Sequence, residues 1–292
     1  CFSKVKLRYL AGYSTSFLVF YNRIRRLLAK EATKGCLKIL MYHNIPENKL
    51  ELFKQQIYYL ASIYRFLTPL QFLDFVNGKY CLSDINLLIT FDDGFKSNRI
   101  VAEKILAQFG IKGIFFVSTE FIGLQDIYER KEFIAQQIYG GDSTNPEISS
   151  EMGALTWEDL EYLLDQGHSI GCHTKNHKRL SELHSKEELY DEIVESGNML
   201  AKKLAVPINY FAYPFGDIDS VSKLAMKIVK SRYKYCFSGV RGSNYFPVDT
   251  YAILRDTISL DDPLSYVRFI VEGGLDIIYR NKAKRLLALT RD

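Results

Sequence analysis

Apolar positions along the chain fall into two rhythms. Short runs such as Leu37-Lys38-Ile39-Leu40-Met41-Tyr42, Leu87-Leu88-Ile89-Thr90-Phe91 and Ser169-Ile170-Gly171-Cys172 are too brief for a buried helix and read as strands. Longer segments between them repeat their apolar residues at helical spacing. The pattern predicts strands near 37–43, 87–91, 112–118, 168–172, 208–213, 234–238 and 251–255, and helices over 50–63, 69–77, 96–109, 156–166, 185–204 and 219–231. Thr156 opens one of these helices as its cap. Strands alternating with helices imply a parallel sheet or barrel of the α/β class. At 292 residues and 47% hydrophobic content the chain can fill one large core, and nothing in it suggests two independent domains. Functional groups in such folds gather where strands end.

Those ends carry the unusual residues. The strand 87–91 runs into Asp92-Asp93-Gly94, and the strand 168–172 into His173-Thr174-Lys175-Asn176-His177. A carboxylate is costly to bury without a cation or hydrogen bonds, so two side by side suggest a ligand set or catalysis. The His-x-x-x-His spacing brings both rings to one point if a helical turn follows, and the Thr174 hydroxyl can brace that turn. One Asp with two His suits zinc or a similar divalent ion that keeps an open position for water. Either piece alone is common on protein surfaces; together, at two strand ends, they point to a metal site.

Thr90-Phe91-Asp92-Asp93-Gly94 followed by His173-Thr174-x-x-His177 resembles the first two signature motifs of the polysaccharide deacetylases, the NodB-homology carbohydrate esterases. A third stretch, Tyr210-Phe211-Ala212-Tyr213-Pro214-Phe215-Gly216-Asp217, is similar to that family's Arg-x-Pro-Tyr-like motif. The likeness runs from about Leu37 to Ser259. It implies a distorted, incomplete (β/α) barrel of about seven strands and a divalent metal, Zn2+ foremost, held by Asp93, His173 and His177. Asp92 would be the general base acting on the water that the metal activates, the Phe215 N–H would serve the oxyanion, and Tyr213 and Pro214 would shape that wall. The implied substrate is an N-acetylated saccharide.

Two departures from the family pattern matter. The general acid usually lies near the carboxyl end, yet no histidine follows His184. His43 ends the first predicted strand, and the arrangement resembles the circularly permuted deacetylases of exopolysaccharides, in which the last barrel strand and its acid come first. His43 is therefore the candidate acid; the alternative is a strand-end histidine satisfied by a carbonyl. Ala212 stands where many relatives carry the arginine that pairs with the catalytic aspartate. Arg255 can supply that charge and Asp256 can orient a histidine, although an Arg-Asp pair on the surface explains them equally. His168 reads as structural and His184 as solvated, and the family's Asp-x-x-Asp-Trp motif finds no match, since the sole tryptophan is Trp157.

The long connection between Phe121 and Ala154 contains a short helix, Arg130 to Tyr139, and a polar centre, Gly140-Gly141-Asp142-Ser143-Thr144-Asn145-Pro146. It reads either as a lid or substrate-selective wall, or as a surface excursion. Charge divides the chain further. Residues 1–34 hold eight Lys or Arg against one Glu, residues 280–292 carry +4, and since the whole is +4, residues 35–279 carry −7. The organisation expected is a basic amphipathic segment 1–34, a catalytic domain 35–259 and C-terminal helices 260–292 packed on the barrel. Leu10, Phe17, Tyr21, Ile24 and Leu28 recur at helical spacing beside arginines, which fits a helix on an anionic membrane surface and equally a helix packed on the barrel.

No stretch reaches the roughly 20 apolar residues of a membrane span. Five cysteines without disulfide-like clustering favour a cytoplasmic location or one peripheral at the inner membrane surface; the first residue, Cys1, leaves a lipid-anchored extracytoplasmic form open. Basic residues are not interleaved with any nucleic-acid-binding module, so no nucleic-acid partner is expected. The leading reading is a metal-dependent N-deacetylase of a cell-envelope glycan, exopolysaccharide or lipid-linked precursor. A catalytically silent glycan-binding relative and an amidase of non-sugar amides are the alternatives.

Overall fold

A computed structural model describes residues 8, 12, 14–28, 35–141, 148–149 and 151–291. The strands are β1 (Cys36–Tyr42), β2 (Arg65–Phe66), β3 (Ile85–Phe91), β4 (Gly113–Val117), β5 (Ser169–Cys172), β6 (Tyr210–Ala212), β7 (Tyr235–Phe237) and β8 (Asp256–Thr257). All pair in parallel in the order β7-β6-β5-β4-β3-β1-β8, with β2 on β3. The longest pairing aligns β1 with β3 from Cys36↔Ile85 to Tyr42↔Phe91, so His43 and Asp92 leave adjacent strands at the same level. Among the described residues β8 and β7 do not pair as strands; the isolated bridge Phe237↔Ile253 links β7 to the stretch before β8, and the barrel stays incomplete.

Alternation along the strands sorts side chains into two layers. Leu37, Ile39, Leu88, Ile114, Phe116, Ala212, Phe237 and Ile253 face inward, where Phe72, Phe75 and Val76 of helix α3 (Pro69–Val76) fill the space. Leu40, Tyr42, Ile89, Phe91, Phe115, Val117 and Phe211 face outward against helices α2 (Leu50–Ala61), α4 (Lys96–Lys104) and α6 (Trp157–Asp165). Helix α5 (Ile127–Phe133) belongs to the 121–154 connection. Helices α7 (Lys186–Tyr190) and α8 (Ser196–Leu204) flank a π-helical turn, Asp191–Glu195, in the segment expected to be one regular helix. Helix α9 (Lys223–Arg232) precedes β7, and α10 (Leu264–Val271) and α11 (Asp276–Arg291) close the chain. The capping box expected at Thr156 is present, reciprocated by Asp159.

One expectation is corrected, one strand was not expected, and the first helix takes up a position that the sequence left open. The strand placed at 251–255 does not pair along its length, because the chain there steps from β7 at Ile253 to β1 at Asp256. The short strand β2 carries too few residues to show a period. Helix α1 (Thr15–Leu28) lies along α10 and is tied to it by polar groups: Thr15 Oγ1 donates to the Ser265 carbonyl at 3.1 Å and Asn22 Nδ2 to the Glu272 carbonyl and carboxylate at 2.8 Å. Phe17, Tyr21 and Ile24 of the apolar stripe are exposed instead. Leu10, the side chain of Leu28 and the polar centre 142–146 of the long connection lie outside the described residues. Among the described residues no helix is long and apolar enough to cross a membrane.

Candidate active site

Neighbouring residues on a strand normally face opposite ways. Asp92 and Asp93 nonetheless both line one cleft, because Asp93 leaves β3 in the left-handed region, φ 75°, and swings its carboxylate back over the barrel mouth. The same device recurs around the site: Thr174 at φ 66°, His177 at φ 57° and Phe215 at φ 63° are also left-handed. Such conformations cost about 1–3 kcal/mol each and persist where the surroundings hold them.

His173 and His177 do not sit on a helical turn as their spacing suggested. They lie on an irregular loop held by Glu192 from the π-helical turn. The buried Glu192 carboxylate accepts from the Lys175 N–H at 3.1 Å, the Asn176 N–H at 2.8 Å and Asn176 Nδ2 at 2.7 Å. Nothing in the polar run 186–195 singled out Glu192 beforehand. The Thr174 hydroxyl, expected to brace the turn, is buried without a hydrogen-bond partner, and it is the Thr174 carbonyl that accepts from Thr119 N–H.

Each imidazole is oriented through Nδ1. His173 Nδ1 lies 2.7 Å from the Ala212 carbonyl and His177 Nδ1 2.8 Å from the Gln137 carbonyl. A carbonyl only accepts, so both rings carry their proton on Nδ1 and present the bare Nε2 lone pair to the cleft. Those nitrogens stand 3.5 and 3.2 Å from Asp93 Oδ1. Three buried electron-pair donors thus converge with no hydrogen between them, which a cation resolves. Ligand atoms on a tetrahedral zinc, at about 2.0–2.1 Å from the ion, stand roughly 3.4 Å apart, so the residues present fit such an ion. Burial by itself pushes the Asp93 carboxyl pKa up, and with both facing nitrogens bare it is a cation that would hold this carboxylate ionised.

Asp92 meets Arg255. The guanidinium grips both carboxylate oxygens, Nη1 to Oδ1 at 2.7 Å and Nη2 to Oδ2 at 2.8 Å, while Nε donates to the Ser238 carbonyl at 2.7 Å. Both side chains are buried, with Arg255 over the Phe116 ring inside the barrel. Burial opposes ionisation of Asp92, but the Arg255 charge prevails and lowers its pKa. Asp256, one residue on, faces the other way and cannot orient a site histidine. It pairs with Lys38 Nζ at 2.7 Å, and Lys38 also meets Asp276 at 2.8 Å. A lysine inside an otherwise apolar strand is the sequence signal for this buried cluster.

The cleft encloses about 970 Å³. His43 lines it with Asp92, Asp93, His173, His177, Phe215 and Gly216. Of the expected wall only Phe215 is exposed there. Tyr213 and Pro214 are buried, Tyr213 in the outer core, because alternation after β6 turns that ring toward the helices. Phe215 packs edge-on against His177, with ring centroids 5.0 Å apart, and beneath the Arg179 guanidinium at 4.1 Å. The long connection supplies another wall through Ile138, Tyr139, Glu151 and Met152. His168 is structural: Nδ1 accepts the Gly113 N–H at 3.0 Å, and burial lowers its pKa to about 4.

An incomplete (β/α) barrel with an Asp-His-His cluster at the carboxyl ends of its strands is the frame of a hydrolase that works with a metal ion. The chain belongs to the polysaccharide deacetylase family, whose model matches residues 79–233, more than half of its length. Membership makes it a hydrolase of carbon–nitrogen bonds that deacetylates glycans. Among solved structures, IcaB from Ammonifex degensii is 21% identical, covering 82% of this chain and 98% of its own, with a TM-score of 0.63. The Streptococcus pyogenes deacetylase PplD, in complex with acetate, is 20% identical over 80% of this chain and 97% of its own, at 0.61. A de-N-acetylase from Aggregatibacter actinomycetemcomitans is 15% identical over 80% and 99%, at 0.58. These likenesses are of fold. No curated protein matches.

Proposed function

We propose that the protein removes N-acetyl groups from the sugars of a cell-envelope glycan, an exopolysaccharide or a lipid-linked precursor, with Asp93, His173 and His177 holding a divalent cation, Zn2+ by the character of the donors. The observation that carries this reading is the convergence of two Nε2 lone pairs and one carboxylate oxygen beside a second, Arg255-clamped carboxylate. A divalent ion there supplies Lewis-acid polarisation and brings the pKa of water to about 7.

The chain's own groups do the rest. Asp92 is held ionised, and although Arg255 occupies both its oxygens, each retains a lone pair to accept a proton from the attacking water. The Phe215 N–H donates to the developing oxyanion from a backbone fixed by its left-handed conformation. An amine leaves poorly unless protonated, and His43, on the same cleft, donates that proton to the departing nitrogen. PplD was solved with acetate, the acid that N-deacetylation releases.

The test is acetate release from an N-acetylglucosamine oligomer by zinc-loaded protein. Chelation should abolish it, and Asp92→Asn and His43→Ala should each lower kcat by about 10²–10⁴-fold while zinc stays bound. Full activity of either variant removes that residue from its role. Turnover of small amides but not of acetylated oligosaccharides overturns the glycan assignment.

A further inference from the structure

Helix α1 is mounted with its apolar side outward. At 100° per residue, Thr15, Leu18, Val19 and Asn22 share one face, and Phe17, Phe20, Tyr21 and Ile24 share the opposite one. The first face is fixed to α10 by the Thr15 and Asn22 hydrogen bonds, so it cannot rotate inward without leaving the Glu272 carboxylate and two carbonyls without these partners. The second stands in solvent, with Phe17 at 70%, Phe20 at 62%, Tyr21 at 54% and Ile24 at 41% exposure. Ile277 and Ile278, shortly after Glu272 in the chain, are also exposed. Four large apolar side chains exposed together, opposite a face fixed by hydrogen bonds, mark a surface with a partner.

We infer that this face docks on an anionic lipid bilayer, with α1 lying in the headgroup region rather than crossing it. Charge selects the partner. Residues 1–34 carry eight Lys or Arg against one Glu, while residues 35–279 carry −7, so an acidic surface attracts the helix and repels the barrel. Aromatic rings beside basic residues are the composition of an interfacial helix. A second copy of this chain would bring one +7 segment against another, which like charge opposes. Arg8 ties the start of the segment to Asp262 at 2.8 Å, next to Asp261 on the cleft wall, so a bilayer holding α1 lies beside the mouth of the cleft. The inference is independent of the metal and of the reaction.

Vesicle sedimentation of the full chain provides the test, with phosphatidylcholine alone and with phosphatidylcholine containing phosphatidylglycerol. Binding is expected to the anionic vesicles and to fall steeply with salt, and Phe17→Ser/Phe20→Ser should weaken it by about tenfold or more. Because both rings are exposed, the variant should keep its fold, checked by circular dichroism, and its turnover of a soluble oligosaccharide. Three results overturn the inference: no sedimentation with anionic vesicles, binding unchanged by the double substitution, or a dimer in light scattering that the double substitution dissolves.

Discussion

Arg255→Met should destabilise the protein far more than a typical surface substitution. Arg255 is fully buried and Asp92 is 4% exposed, so the variant leaves a carboxylate inside the barrel with both oxygens stripped of their 2.7 and 2.8 Å donors. Breaking one side of a buried pair costs about 3–5 kcal/mol, and the orphaned Ser238 carbonyl adds about 1 kcal/mol. Domains of ordinary stability have about 5–15 kcal/mol in total, so the variant should sit near its unfolding threshold. The assay is urea denaturation at pH 7.5 followed through the sole tryptophan, Trp157, with chelator present so that metal binding does not contribute. Pairing the change with Asp92→Leu removes the stranded charge and should recover most of the loss, though not activity. A loss below about 1 kcal/mol for the single variant, or a double variant less stable than the single, would refute the account of Asp92 as a buried charge dependent on Arg255.

Glu192→Ala should free the loop between His173 and His177, weakening zinc affinity about 10–100-fold in a chelator competition, with activity returning at raised zinc; unchanged affinity would show that the loop holds itself. Gly171→Ala places a methyl 2.4 Å from Phe116 Cδ1 inside the barrel and should cost about 1–3 kcal/mol, read as a lowered Tm; an unchanged Tm would mean that the ring has room to move. His168 has a pKa of about 4, below its ordinary 6.5, so it contributes stability above pH 6.5 that is lost as the pH falls toward 4. That loss is about 3 kcal/mol, and His168→Asn, which can still accept the Gly113 N–H, should flatten the stability profile over that range; a profile as steep as the parent's would assign it to other groups.

Much of the architecture was legible because strands and helices announce themselves through periods of two and about 3.6, and residues at strand ends are where a parallel barrel collects its chemistry. Asp93, His173 and His177 could be picked out because their motifs are local. The partner of Asp92 was narrowed to Arg255 but not settled, since the two lie 163 positions apart. Its neighbour Asp256 was misassigned for a simple reason: alternation sends adjacent residues to opposite layers, and only the layering reveals which one looks into the site. Tyr213 was placed on the wall for the same reason.

The order of elements, the parallel α/β class and the Asp-Asp and His-x-x-x-His motifs followed from the chain alone, because each rests on residues near one another in sequence; the incomplete barrel was implied by the family resemblance. Other features emerged only on folding: the left-handed turns that bring Asp92 and Asp93 to one cleft, the π-helical turn that offers Glu192 to the histidine loop, and the outward mounting of α1. Each depends on where distant groups find hydrogen-bond and charge partners. Local periodicity carries no record of that, since burial and pairing are settled between segments and not within them.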